Sequence, residues 1–274
     1  MLINIKNENN IIKIFKNCLI KIVNRLENNN NCNFKTNGEE KFISDFFSVY
    51  RNSKMIIFDI GGNIGNYSAI ILKKCKEYKI DYTIHIFEPT KSCFSILNEK
   101  FGTNNSIIIN NFGLSNVNSK ASIYYDKENS GLASLYRRNL KAHNIQLDKS
   151  EMVDLKRMED YINERNIPRI DFLKIDIEGH ELFAFKGFGP YLSSKFITAI
   201  QFEYGGANLD SHTSLMEIYE LLEKRGFEIF KIMPKYIEKR QYCPYMDNFF
   251  YSNYVAISKE FKIDKIKPQN SCSR

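Results

Sequence analysis

The sequence predicts an α/β protein, a mostly parallel sheet with helices on both faces. Three observations predict it. Short apolar runs alternate with helix-period stretches through the middle of the chain, the pattern of strands buried on both faces. Gly61, Gly62 and Gly65 follow the first run and open a helical stretch. Four of the first five strand ends carry a carboxylate, for which a purely structural sheet has no use.

Each element follows in order. Residues 10–26 place Ile11, Ile14, Phe15, Cys18, Leu19, Ile22 and Leu26 at helical spacing, and the run Asn28–Asn31 ends that helix. Residues 39–50 give a second amphipathic helix, with Phe42, Ile43, Phe46, Phe47 and Tyr50 on one side. Nothing before Met55 carries chemistry, so residues 1–50 are expected to form a helical cap. Seven strands follow at Met55–Ile60, Thr83–Phe87, Ser106–Ile109, Asp171–Ile177, Ile197–Phe202, Phe227–Ile232 and Asn253–Ile257. Helices are expected over Asn66–Tyr78 and Ser92–Phe101. The stretch 117–160 breaks the rhythm: Ala121–Tyr125 reads as an extra strand and Ser130–Tyr136 as a loop. The main domain is therefore expected at 51–258, with an insertion at 117–160, and 259–274 is a polar tail that frays.

Composition narrows the classes. A chain of 274 residues suits one generous domain, and 43% hydrophobic with 26% charged residues excludes wholesale disorder. No apolar run approaches the roughly 18 residues of a membrane span, and Lys13, Lys16 and Lys21 interrupt the N-terminal apolar stretch that a secretory signal would need. The net charge of +7 comes from lysines scattered among glutamates, so no nucleic-acid partner is expected. Lys235, Lys239 and Arg240 near Tyr236 and Tyr242 read as a substrate lid or ordinary surface. Six cysteines at irregular spacing, without a CxxC pair, read as reduced thiols of a cytoplasmic protein, neither a disulfide frame nor a zinc site. The partner expected is a small-molecule substrate; a homodimer is compatible with the sequence.

Open parallel sheets bind ligands beyond the carboxyl ends of their strands. Here those ends read Asp59-Ile60-Gly61-Gly62-Asn63-Ile64-Gly65, Glu88-Pro89, Asn110-Asn111-Phe112-Gly113, Asp176-Ile177-Glu178-Gly179-His180-Glu181 and Glu203-Tyr204. The glycines permit close main-chain approach, and the helix start offers free N–H groups. The loop lacks the Gly-Lys-Ser/Thr ending of a phosphate loop and the spacing of a dinucleotide fingerprint. Asp59 would repel a pyrophosphate but suits a cationic ligand, and S-adenosylmethionine fits: it carries an ammonium and a sulfonium and no phosphate. Glu88 can accept hydrogen bonds from ribose hydroxyls, which indicates a nucleoside. Asn63 and Tyr67 could line the methionine end, Phe112-Gly113-Leu114 the adenine, and the Ser130–Ser134 loop could reach back over the cofactor. Two other readings stand beside this one: a nicotinamide-dependent sugar oxidoreductase, disfavoured by the glycine spacing and Asp59, and a non-catalytic cofactor-binding module, disfavoured by the intact acids.

Phe58–Gly65, Phe87-Glu88-Pro89, Gly113-Leu114-Ser115, Ile170–Glu181 and Glu203-Tyr204 resemble the motif series of FkbM-type S-adenosylmethionine-dependent methyltransferases, over roughly residues 40–235. The Lys-Ile-Asp-Ile-Glu-Gly-His-Glu run is the most specific part; Gly62 stands where that family commonly has alanine. The resemblance implies a Rossmann-like class I methyltransferase fold with seven strands. It also implies O-methylation of a hydroxyl, as on a sugar or nucleotide-sugar of a bacterial surface or capsular polysaccharide. Cofactor contacts are expected from Asp59, Gly61, Asn63, Gly65, Tyr67, Glu88, Pro89, Phe112, Gly113 and Asp176. A hydroxyl needs a base or a metal to become nucleophilic. The catalytic candidates are Asp176, His180, whose ordinary pKa lies near about 6.5, and Glu203. A Mg²⁺ ion shared by Asp176 and Glu203 is the less favoured alternative to a side-chain base. Glu178 and Glu181 are expected to hold the loop. Arg137, Arg138 and Lys141 are expected on a solvated helix face, with diphosphate binding as the second choice.

Overall fold

The computed structural model describes residues 9–261. Two helices lead, α1 (Asn10–Leu26) and α2 (Glu39–Ser48). Then come β1 (Lys54–Ile60), α3 (Asn66–Glu77), β2 (Asp81–Phe87), α4 (Lys91–Phe101) and β3 (Ile107–Asn110). A smaller excursion follows: β4 (Gly113–Leu114), β5 (Ser119–Tyr125), β6 (Lys149–Lys156) and α5 (Met158–Arg165). The chain returns through β7 (Ile170–Ile175), α6 (Glu181–Gly187), β8 (Ile197–Tyr204), α7 (Gly206–Ser211) and α8 (Leu215–Lys224). It closes with β9 (Phe227–Ile232), β10 (Ile237–Lys239) and β11 (Ser252–Ser258).

The main sheet runs β10-β9-β11-β8-β7-β1-β2-β3. Pairs β8/β7, β7/β1, β1/β2 and β2/β3 are parallel, whereas β11 is antiparallel to both β8 and β9. The sheet thus has eight strands, not the expected seven. The eighth, β10, pairs antiparallel with β9 at the edge. Its Ile-Glu-Lys sequence is too short and too polar to show a strand period. The excursion forms its own sheet, β4-β6-β5. The extra strand expected at Ala121–Tyr125 is there; its antiparallel partner β6 is not legible because only Val153 and Leu155 of it are buried.

Apolar side chains fill both faces of the main sheet. On one face Phe58, Leu173, Ile200 and Phe202 pack with α5, α6 and α8. On the other, Ile57, Ile84, Phe172 and Val255 pack with α2, α3 and α4. The rings of Phe42, Phe46 and Phe47 lie 6.3, 5.9 and 5.5 Å from that of Phe172. Helix α2 therefore belongs to the sheet's own core rather than to a separate cap, and the boundary expected at residue 50 falls inside a shared core. Residues 1–8 and all of the expected tail beyond Phe261 lie outside the described residues. The described cysteines are all free thiols.

This topology fixes where a ligand can sit. From β1 the chain builds outward through β2 and β3, then crosses back to build β7 and β8 on the other flank. The loops after β1 and β7 consequently part in opposite directions and leave a crevice at the strand ends.

Candidate active site

The crevice is floored by main chain. Gly61 and Gly62 N–H groups both donate to the Phe87 carbonyl, at 2.9 and 3.0 Å, and Asp176 N–H donates to the Ile60 carbonyl at 3.0 Å. These bonds tie the ends of β1, β2 and β7 together. Gly61 has φ +86°, and a Cβ there would collide with the Asp176 carbonyl oxygen, so no side chain fits. Gly65 has φ +82°, but a Cβ there would meet the Phe101 ring and Leu97. Its requirement is the packing of α3 against α4, and it does not line the cavity.

Above the floor lies a cavity of about 270 Å³. Glu88, Asp176 and Glu178 line it, and no Lys or Arg does among the described residues. Leu114, Ile123, Leu135 and Leu155 give it an apolar wall from the excursion. Asn63 Nδ2 donates to the Ser130 carbonyl at 2.8 Å, and Ser134 Oγ to the Glu178 carbonyl at 2.8 Å. These two bonds hold the excursion over the crevice.

Glu88 ends the second strand and is buried. Its Oε1 accepts from Thr90 N–H at 2.9 Å and from Thr90 Oγ1 at 2.6 Å, while Oε2 accepts from Asn63 N–H at 2.9 Å. A carboxylate has about four acceptor positions, so three are filled and Oε2 keeps one. Glu88 thus keeps one open acceptor position for a ribose hydroxyl. Burial raises its pKa, and the Thr90 and Asn63 bonds work against that.

Asp176 stands one residue beyond β7, at the cavity wall. Lys174 Nζ donates to its Oδ2 at 3.2 Å. Lys174 is a buried ammonium on an apolar strand, 5.3 Å from the centre of the Tyr67 ring. Burial alone would lower its pKa; Asp176, Glu39 and Glu203 more than reverse that and hold it above the usual value. Glu203 lies behind Asp176 and does not line the cavity. Burial raises its pKa well above normal, with Asp176 and Glu178 adding to the shift. Ligand oxygens of Asp176, Glu178 and Glu203 lie within 4.8 Å of one another. Nearby, Tyr67 OH donates to Gln201 Oε1 at 2.6 Å, and Gln201 Nε2 to Glu39 Oε2 at 2.5 Å. Glu39 comes from α2, so the N-terminal segment reaches the site's inner side.

His180 lines the cavity, but both ring nitrogens are engaged, Nδ1 with Tyr136 OH at 2.8 Å and Nε2 with Ser115 Oγ at 3.0 Å. Its ring stacks on Phe183, and burial lowers its pKa to about 4. A ring with both nitrogens bonded belongs to the wall, in place of the expected proton acceptor. Glu181 Oε1 accepts from the N–H groups of Ile177 and Gly179 at 3.0 and 3.3 Å, holding the loop as expected.

Of the expected cofactor contacts, Gly61, Asn63, Tyr67, Glu88, Pro89, Gly113 and Asp176 line the cavity, and Asp59, Gly65 and Phe112 do not. Asp59 turns away to accept from Ser68 Oγ, and burial pushes it up to about 6. Phe112 packs on Phe87 and Tyr161, 5.5 and 5.8 Å between ring centres. Arg138, expected on a solvated face, is half-buried, its side chain held between Glu178 and Asp210, and Arg137 covers the Tyr124 ring at 4.9 Å. Three contributors escaped the sequence reading: Phe34, Lys174 and Glu39. A lysine inside the Ile170–Ile175 run was the available signal; Phe34 gave none.

A glycine-floored crevice at the switch point, an acid closing β2 and a second acid after β7 define a class I methyltransferase fold. The methyltransferase FkbM domain model matches residues 59–229. The chain belongs to that family. "Methyltransferase 1" of Beauveria bassiana (strain ARSEF 2860) is 25% identical over 146 residues, 48% of this chain and 57% of the relative. The match thus spans little more than half the length of that curated relative. Among solved structures, methyltransferase FkbM from Methylobacillus flagellatus KT has a TM-score of 0.47 at 15% identity, covering 75% of this chain and 44% of that one. Aeropyrum pernix fibrillarin with bound S-adenosyl-L-methionine has a TM-score of 0.39 at 10% identity, covering 79% of this chain and 74% of that one.

Proposed function

We propose that this chain methylates a hydroxyl oxygen with S-adenosylmethionine as donor, the acceptor being a sugar or nucleotide-linked sugar of a surface polysaccharide. The observation that carries the reading is the cavity's lining: three carboxyls, two of them paired from behind by Lys174 and Arg138, and no Lys or Arg among the described residues facing the space. Such a wall repels a pyrophosphate and favours a cationic ligand, which separates this reading from a nicotinamide oxidoreductase. The residues fit the donor: Glu88 keeps an acceptor position for a ribose hydroxyl, Gly61 and Gly62 let main chain approach, and Leu114, Ile123 and Leu155 offer apolar surface to an adenine. The acceptor class rests on the family resemblance.

S-adenosylmethionine, when bound, supplies an electrophilic methyl group on a positively charged sulfur. In this reading Asp176 orients the acceptor hydroxyl and takes its proton at Oδ1, the oxygen that Lys174 leaves open. Lys174 fixes the carboxylate from behind. It also brings a cation to the group of three acids, which favours a side-chain base over a shared Mg²⁺. Alignment of the partners is worth up to about 7–11 kcal/mol in principle.

One experiment separates the roles: calorimetry with the donor, and mass-spectrometric turnover on a panel of nucleotide-sugars, for the native chain, Glu88→Ala and Asp176→Asn. Glu88→Ala should weaken donor binding by more than about tenfold, the loss of a charged hydrogen bond. Asp176→Asn should weaken donor binding less than Glu88→Ala does and lose about a hundredfold or more in turnover. No heat with the donor or its demethylated product overturns the proposal.

A further inference from the structure

The linker between α1 and α2, residues 27–38, is held at both ends and reaches the cavity in between. Asn28 Nδ2 donates to the carbonyls of Asn37 and Ile232 at 2.7 and 3.0 Å, and Asn30 N–H donates to the Tyr251 carbonyl at 2.8 Å. Asn28 and Asn30 adopt φ +54° and +57°, a left-handed backbone that asparagine tolerates better than most side chains. At the far end Asn37 Nδ2 donates to Glu39 Oε1 at 2.5 Å. Between these anchors Phe34 is half-buried and lines the cavity, while its neighbours Asn33 and Lys35 are exposed. Its ring lies 6.0 Å from that of Tyr67 between centres, with 59° between the planes, so neither ring covers the other face to face. Tyr67 in turn has Lys174 Nζ 5.3 Å from its centre, and Lys174 holds Asp176. Burial first, then Glu39, Glu178 and Asp176, push the Cys32 thiol up, which puts the linker near those acids. Phe34 therefore stands with Tyr67 and Asp176, where the acceptor hydroxyl has to arrive.

We propose that Phe34 is a specificity-determining residue, the platform on which an uncharged sugar ring stacks to bring a hydroxyl to Asp176. Within the methyltransferase reading, on which this rests, the acceptor is then a neutral glycoside and not a nucleotide-linked sugar. A pyranose has an apolar face of C–H groups and a rim of hydroxyl donors. The negative face of an aromatic ring attracts the first, and carboxylates accept from the second. Phe34 beside Asp176 and Glu178 offers both. A nucleotide-linked sugar would need cations for its diphosphate. The arginines of the excursion are committed elsewhere, Arg138 to Glu178 and Asp210 and Arg137 to the Tyr124 ring at 4.9 Å.

The chain has no tryptophan, so Phe34→Trp places a single fluorescent reporter on the platform. The full chain carrying it, loaded with S-adenosylhomocysteine, is titrated with a panel of methyl pyranosides and, in parallel, with the uridine diphosphate forms of the same sugars. At least one methyl pyranoside should change the emission saturably, and its diphosphate form should bind no more tightly. For that pyranoside, affinity read by ligand-observed NMR should fall about fivefold in Phe34→Leu, which keeps apolar bulk but loses the ring face, and return in Phe34→Tyr. Heat with S-adenosylhomocysteine should be the same for both variants and the native chain. No saturable response to any pyranoside, a diphosphate form bound at least about tenfold tighter, or native affinity in Phe34→Leu overturns the inference and leaves the methyltransferase reading standing. Absence of heat with S-adenosylhomocysteine overturns that reading itself.

Discussion

At the scale of single residues, the site is a set of acids whose surroundings give them different tasks. Asp176 faces the cavity with Lys174 behind it, whereas Glu181 is sealed beneath the loop with its Oε2 unpartnered. Burial pushes Glu181 up to about 7, the loop N–H groups opposing that. The sign follows from linkage. The folded chain keeps a proton that the unfolded chain releases as pH rises past the ordinary value of 4.5. This group's stabilisation is therefore complete below that pH and is lost as pH climbs to about 7. Glu181→Gln cannot lose the proton and keeps the Oε1 acceptor. Its thermal midpoint should fall less than the native chain's between about pH 5 and pH 7, a difference worth up to about 3 kcal/mol. Parallel pH profiles for the two proteins would remove Glu181 as the titrating group.

At the scale of elements, the excursion between β4 and α5 closes the site, and Arg138 is its rivet, enclosed between Glu178 and Asp210. Removing one partner of such a pair strands a buried charge and costs about 3 kcal/mol or more. Arg138→Ala should show that loss in denaturant melts, and adding Glu178→Gln should recover part of it; strictly additive losses would mean the two side chains are not coupled. Legibility in the sequence follows the same division. The strand ends of the main sheet were readable because apolar runs mark the strands and glycines or acids mark their ends: Gly61, Glu88 and Asp176 all reach the cavity. Gly65 shares a motif with Gly61 yet serves helix packing, a distinction that only the Phe101 ring makes visible. The excursion was half readable, since β6 buries too few residues to alternate clearly. Arg138 looked like a surface cation because its acidic partners lie 40 and 72 residues away in the chain, beyond the reach of any local pattern.

At the scale of the whole molecule, the N-terminal region splits where the sequence suggested unity. Helix α2 puts Phe42, Phe46 and Phe47 into the core and Glu39 into the polar group behind Asp176, while α1 contributes nothing buried. Deleting residues 1–26 should therefore leave the melting temperature within about 2 °C, whereas deleting through Ser48 should abolish the cooperative transition. A chain that still melts cooperatively without α2 would show that the sheet's second face needs no cover.

The crevice has two makers. Its floor and acids come from the parallel sheet, and the wall opposite comes from an excursion pinned by a few polar contacts at Asn63, Ser134 and Arg138. On the proposed reading, descent with modification can rewrite that wall while the donor's seat stays put. Relatives could then come to decorate different molecules with one unchanged reagent.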